Sequence, residues 1–75
     1  MKLREARHNA FLSIRELASR AGVAPRTIVE VEAGRRVPYF VTARKIAHAL
    51  GVEPRDIEEL AARTAEGFEG KAGAT

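Results

Sequence analysis

The chain has 75 residues, contains no cysteine and carries a formal net charge of +3 at pH 7. This length suits one domain with a modest core, and the lack of cysteine excludes disulfides and thiolate metal sites. No apolar run reaches the roughly 18 residues of a membrane span, and residues 1–13 lack the apolar stretch of a signal peptide, so we expect a cytoplasmic protein without a membrane partner.

The charge is distributed unevenly along the chain. Residues 1–52 hold ten basic and four acidic residues, a formal charge of +6, whereas residues 53–75 hold three basic and six acidic residues. A basic body indicates a polyanion as its partner, and the alternative is a solvated surface whose charge is merely uneven. Ten of the thirteen basic residues are arginine, the side chain best suited to phosphate and guanine, although genome composition can produce the same preference.

Apolar residues recur at helical spacing and no run alternates over six positions, so the sequence predicts an all-α fold. The first helix is expected at about Lys2 to Ala10. The second begins after Ser13, because Glu16 three residues later completes a capping box, and it ends at Gly22.

The third helix begins at Pro25, whose missing N–H costs nothing in a first turn, and ends at Gly34. A fourth covers residues 40–50, and a fifth starts at Pro54 with Glu53 as its cap. The predicted domain is residues 1–63. Residues 64–75 include three glycines and are expected to form a flexible tail, in which Phe68 either docks or stays free.

The second and third helices have the spacing of a helix-turn-helix. Ala18 is small enough for the third helix to cross closely, and Gly22 accepts the backbone angles of a tight turn. Leu17 and Ile28 then hold the two helices at a steep angle, which leaves the outer face of the third helix available for the major groove of DNA. The alternative is a five-helix bundle that uses the same turn only for packing.

Two stretches carry a family resemblance, LSIRELASRAGVAPRTIVEVEAGRRVP and ARKIAHALGVEPRDI. From Leu12 to Ile57 the chain resembles the helix-turn-helix domains of the lambda-repressor and Cro class, the Cro/C1 or XRE family. The resemblance implies a compact five-helix lambda-repressor-like fold, a prokaryotic or phage origin, and operator binding, usually as a dimer. Three polar anchors of the family are missing, because Ile14, Ala24 and Ala33 stand where Gln, Ser and Asn are usual.

The same resemblance implies a salt bridge between two helices. In the family, an acid at the position of Glu32 often pairs with an arginine of the first helix, and Arg7 is suitably placed to be that arginine. We therefore expect a partly buried ion pair between Arg7 and Glu32. Such a pair would give Glu32 a structural role and leave it out of the reading face.

The candidate base contacts lie on the exposed side of the third helix. Arg26 can bind guanine O6 and N7 through two hydrogen bonds, and Glu30 can accept one from cytosine N4. Glu30 has two alternative roles, either an i,i+4 pair with Arg26 or a place in solvent. The full set of candidates is Pro25, Arg26, Thr27, Val29 and Glu30.

The candidate phosphate contacts lie at two helix ends. Ser13, Ile14 and Arg15 begin the second helix, whose amide end can bind a phosphate. Arg35 and Arg36 follow the third helix, where the chain would pass the DNA backbone.

Together with what the family resemblance implies, these patterns predict a small prokaryotic or phage transcriptional regulator, a repressor. It is expected to bind double-stranded DNA at a two-fold symmetric operator as a homodimer. Val52, Ile57 and Leu60 are the candidates for the dimer interface, or else belong to the core. The alternatives are an antitoxin with a toxin as its partner, and a protein-interaction adaptor that kept the fold but lost DNA binding.

An enzyme is not expected, because the sequence lacks the groups that catalysis or cofactor binding would need. His8 and His48 lie on different predicted helices without a nearby ligand pair, and no glycine-rich phosphate loop follows a strand. We therefore expect no metal, no cofactor and no small-molecule ligand.

Overall fold

The computed structural model describes residues 1–61, and over this range it is helical without a strand. Its helices are α1 (Leu3–Asn9), α2 (Ile14–Ala21), α3 (Pro25–Glu32) and α4 (Phe40–Leu50). A fifth helical segment consists of a 3-10 turn at Pro54–Asp56 and helical residues 58–61. The predicted all-α, five-helix fold is confirmed. The predicted tail at residues 64–75, with Phe68, lies outside the described residues.

The core forms where α2 packs against both α3 and α4, and α4 packs against the 3-10 turn. Ala18 is about as buried as the large side chains around it, so its small size lets two helices approach closely. One continuous set of apolar side chains fills this space: Leu3, Ala6, Leu12, Leu17, Ala18, Ala21, Ile28, Val31, Ala43, Ile46, Ala47, Ile57 and Leu60.

The beginning of α2 is determined by residues close in sequence. The Ser13 hydroxyl accepts a hydrogen bond from the Glu16 amide at 3.0 Å, and the Glu16 carboxylate accepts one from the Ser13 amide at 2.8 Å. This reciprocal pair satisfies two amides that no helical carbonyl could reach. The direction in which the chain enters α2 is therefore set locally.

The end of α3 turns sharply at Gly34, which has a φ of 75°. The Gly34 amide donates to the Val31 carbonyl at 3.1 Å, and the Arg35 amide donates to the Glu30 carbonyl at 2.9 Å. This is the Schellman arrangement, in which a left-handed residue closes a helix. As a result, the basic pair that follows Gly34 leaves the helix immediately at its end.

The end of α1 uses the same arrangement without a glycine. Phe11 has a φ of 58°, and the Leu12 amide donates to the Arg7 carbonyl at 3.1 Å. The Phe11 side chain is 91% exposed, so little packing compensates for a backbone conformation that a bulky residue rarely adopts.

The beginning of α1 is held by the other end of the described chain. Lys2 occupies the cap position but makes no side-chain cap bond. Instead the Leu3 amide donates to the Glu59 carboxylate at 2.8 Å, and the Glu58 amide donates to the Met1 carbonyl at 2.8 Å. We call residues 1–3 together with residues 54–60 the terminal seam.

Two candidates for a dimer interface lie in the core of the single chain. Ile57 and Leu60 are fully buried, so their side chains have no surface to offer a second chain. The interface prediction therefore does not hold for these two, and their alternative role as core residues does. Val52 is half-buried and packs against the same core.

Candidate nucleic-acid interface

The outer face of α3 lies on the side of the helix opposite its two buried positions, Ile28 and Val31. Both side chains are enclosed, which orients the helix with its opposite side toward solvent. The five predicted base contacts all have accessible surface. Pro25, Arg26 and Val29 are exposed, while Thr27 and Glu30 are half-buried.

Glu30 lies between two arginines at the centre of this face. Its Oε2 accepts a hydrogen bond from Arg26 Nε at 3.2 Å, and its Oε1 accepts one from Arg36 Nε at 2.9 Å. The bond from Arg36 and then that from Arg26 lower the pKa of Glu30, because both stabilise the ionised carboxylate. Of the roles considered for Glu30, the i,i+4 pair with Arg26 is present in the structure.

The contact between Glu30 and Arg36 was missed by sequence reasoning. Their separation of six residues matches no helical spacing, since Arg36 lies beyond the end of α3. Only the left-handed turn at Gly34 brings the Arg36 side chain back toward the helix. The sequence does show a helix that ends at a glycine and is followed by a basic pair. That pattern does not specify which carboxylate an arginine of the pair will contact.

The two arginines after α3 lie beside the outer face. Arg35 is exposed, and the Arg36 side chain is 49% exposed although its Nε is bonded to Glu30. The Arg26 side chain is 84% exposed. Cationic groups thus occur at the first turn of α3 and directly after its last turn.

The amide end of α2 provides a second set of polar groups. The Ser13 hydroxyl accepts from Glu16, and this leaves its proton available for donation to another acceptor. The first helical hydrogen bond of α2 runs from the Leu17 amide to the Ser13 carbonyl, at 2.9 Å. The Ile14 and Arg15 amides come before this bond and have no carbonyl of the helix to donate to. Amides in this first turn and the helix dipole favour an anion.

The side chains of Ile14 and Arg15, at this end of α2, differ in how exposed they are. Arg15 is exposed, whereas Ile14 is half-buried and packs against the core. Ile14 therefore contributes its backbone amide and apolar packing, but no side-chain hydrogen bond. Hydrogen bonds from the backbone and side chain of Ser13 lower the pKa of Glu16, which keeps this carboxylate ionised as part of the cap.

The predicted ion pair between α1 and α3 is present and well shielded. Arg7 Nε lies 2.6 Å from Glu32 Oε2, and Arg7 Nη2 lies 3.2 Å from Glu32 Oε1. The two side chains are only 9% and 11% exposed, and Arg7 Nη1 also donates to the Leu12 carbonyl at 3.1 Å. This bidentate contact connects α1 to the last turn of α3. Glu32 therefore does not belong to the outer face of α3.

The histidines and acidic residues within residues 1–61 do not cluster. No group of three or more His, Asp or Glu side chains in this range could hold a metal ion, and His8 and His48 are exposed on separate helices. No helix in this range is both long and apolar enough to cross a membrane.

Comparison with known proteins agrees with this geometry. A family described as a helix-turn-helix domain matches residues 1–65, which is most of the chain. Comparison with curated proteins and with solved structures gave no match. Two helices joined by a tight turn, as α2 and α3 are, have the geometry of a helix-turn-helix. The chain therefore belongs to the helix-turn-helix family of the XRE type, whose members bind DNA and regulate transcription.

Proposed function

We propose that the protein is a small prokaryotic or phage transcriptional regulator, a repressor, that binds double-stranded DNA in a sequence-specific manner with α3 in the major groove. The observation that carries the proposal is the outer face of α3, which has exposed side chains along its length and basic groups at both ends. With eight residues, the helix is about 12 Å long, comparable to the width of the major groove.

Base recognition is assigned to the first turns of α3. The Arg26 side chain is 84% exposed and can bind guanine O6 and N7 through two donors. Val29 is 39% exposed and can contact a thymine methyl group. Thr27 can donate to a base or a phosphate, whereas Pro25 has no donor and contributes shape only.

Phosphate binding is assigned to the two helix ends on either side of that face. The α2 amide end, with Ser13, Ile14 and Arg15, holds one phosphate through N–H groups and the helix dipole. Arg35 and Arg36 hold the backbone after α3. Contacts of this kind position a protein on the duplex without reading its sequence.

We further propose that two copies bind a two-fold symmetric operator as a homodimer. Half-sites would then lie about 34 Å apart, one turn of B-DNA, so that both α3 helices enter the same side of the duplex. Because Ile57 and Leu60 are core residues, Val52 is the remaining candidate of the three for the interface.

Selection of bound sequences from random duplexes tests this proposal directly. The full chain should enrich a two-fold symmetric site, and its affinity should fall steeply with salt because phosphate contacts release counterions. If no sequence is enriched, the proposal of sequence-specific binding is wrong.

A variant then tests the base contact. Arg26→Ala should lose roughly 1–3 kcal/mol of discrimination at one base pair of the selected site. Arg55→Ala removes the same charge from an exposed position in the fifth helical segment and is the matched control. If Arg26→Ala weakens binding to selected and random duplexes equally, Arg26 contacts a phosphate instead.

A second candidate function is protein binding, either as an adaptor or as the antitoxin of a toxin–antitoxin pair. Large apolar side chains away from α3 favour it, since Phe11 is 91% exposed and Tyr39 is 77% exposed. The missing polar anchors at Ile14, Ala24 and Ala33 add support. Tight binding to a protein without retardation of any duplex would favour this second function over the first.

A further inference from the structure

We infer that Glu30 is a positioning residue that holds the guanidinium groups of Arg26 and Arg36 for DNA, instead of reading a base itself. The inference rests on the proposed function, because it assigns a role within the same interface. It starts from one contact pattern: each carboxylate oxygen of Glu30 accepts from a different arginine, at 3.2 Å from Arg26 and 2.9 Å from Arg36.

The atoms used in these bonds leave the recognition edges of both arginines available. Each contact is made by Nε, which is one of the five N–H donors of a guanidinium. The Nη groups at the far edge can still bind guanine O6 and N7 or two phosphate oxygens. The Glu30 carboxylate therefore orients each guanidinium group without occupying the Nη edge that DNA would contact.

The same pattern argues against Glu30 as a reader of cytosine. Each Glu30 oxygen already accepts from a guanidinium, so cytosine N4 would have to approach a carboxylate whose oxygens both face an arginine. The Glu30 side chain is only 24% exposed, whereas Arg26 is 84% exposed, so the arginine extends farther from the protein than the acid.

Glu30 also connects two kinds of DNA contact. Arg26 lies in the first turn of α3, while Arg36 lies beyond the turn at Gly34. A bridge through one carboxylate joins a candidate base contact to a candidate phosphate contact. Holding long side chains in place before binding lowers the entropy that binding must remove. This pre-set geometry raises the preference for a specific site, while the negative charge of Glu30 lowers the affinity for phosphates in general.

The test compares wild type with Glu30→Gln and Glu30→Ala on two duplexes, the selected site and a scrambled version of it. Glu5→Gln removes one negative charge from an exposed position of α1 and is the charge control. Both Glu30 variants should bind the scrambled duplex more tightly than wild type. The ratio of specific to non-specific affinity should fall about tenfold, which is comparable to one mismatched base pair. Glu5→Gln should leave that ratio unchanged.

A double-variant cycle tests whether Glu30 acts through its partners. If it does, adding Glu30→Ala to an Arg36→Ala background should change the affinity ratio less than it does in wild type. An equal change in both backgrounds would overturn the inference, and so would an unchanged ratio in the Glu30 variants. Loss of preference for cytosine at one position, with unchanged non-specific affinity, would establish base reading and also overturn it. Failure of the wild type to prefer any duplex would instead overturn the proposed function.

Discussion

The helix-turn-helix and the terminal seam solve the same structural problem in opposite ways. Each contains a helix start with amides that need acceptors. In α2 the acceptors are Ser13 and Glu16, at the start of the helix itself. In α1 the acceptor is Glu59, which is 56 residues from Leu3. The start of α2 is therefore capped by residues of its own first turn, whereas the start of α1 is capped only when the rest of the domain is folded.

This difference suits the proposed function. The proposed reading helix is α3, and its position relative to α2 depends on the left-handed Gly22 that ends α2 and on the buried side chains of Leu17 and Ile28. The seam only needs to enclose the far side of the core, which it does with Leu3, Ile57 and Leu60. The ion pair of Arg7 and Glu32 is the polar link between α1 and the helix-turn-helix.

The largest expected effect follows from breaking that link. Arg7→Ala should lower the free energy of unfolding by about 3–5 kcal/mol, because Glu32 would remain as a shielded charge without its partner. Chemical denaturation measures this, and Arg4→Ala, an exposed position on α1, is the control. An unchanged unfolding curve for Arg7→Ala would contradict the role assigned to the pair.

A smaller effect separates local from long-range capping. Ser13→Ala and Glu59→Ala should each cost about 1 kcal/mol, since each removes an acceptor from one helix start. Amide hydrogen exchange should then differ between them. Loss of protection should centre on α2 for Ser13→Ala and on α1 for Glu59→Ala. Identical exchange patterns in the two variants would refute the distinction between the regions.

The end of α1 offers a change in the stabilising direction. Phe11→Gly should raise the free energy of unfolding by up to about 1 kcal/mol, because glycine adopts a φ of 58° without the steric cost that phenylalanine has there. Thermal unfolding measures this small rise. The same variant also tests whether exposed Phe11 binds a protein, because such binding would be lost while stability increases. A fall in stability would mean that Phe11 packs more than its exposure indicates.

The smallest expected effect concerns acid. Hydrogen bonds lower the pKa values of Glu16 and Glu30 in the folded state, so both contribute stability above the unfolded pKa of about 4.3. This contribution should be lost as pH falls through the lower folded pKa values, where both carboxylates become protonated. Thermal unfolding between about pH 6 and pH 3 should show a decline that is shallower in Glu16→Gln and Glu30→Gln. An equally steep decline in both variants would assign the acid sensitivity to other carboxylates.

The fold was largely predictable because its signals are short-range. The capping box at Ser13 and the left-handed glycines at Gly22 and Gly34 mark helix boundaries that the structure reproduces. The fifth helical segment differs in detail, since a 3-10 turn at Pro54–Asp56 stands where a regular helix start was expected. The candidate site was predictable as a face of α3, since Ile28 and Val31 share the opposite side.

The sequence by itself determined where α2 begins and where α2 and α3 end, because the capping box at Ser13 and the glycines at Gly22 and Gly34 act over a few positions and can be recognised from their spacing. Resemblance to a family added the pair of Arg7 and Glu32. The tertiary structure decided the rest. It assigned Glu59 to α1, enclosed Ile57 and Leu60, and placed Glu30 between two arginines. Such contacts depend on how the helices pack and how the backbone turns between them, and periodicity along one helix carries no information about either.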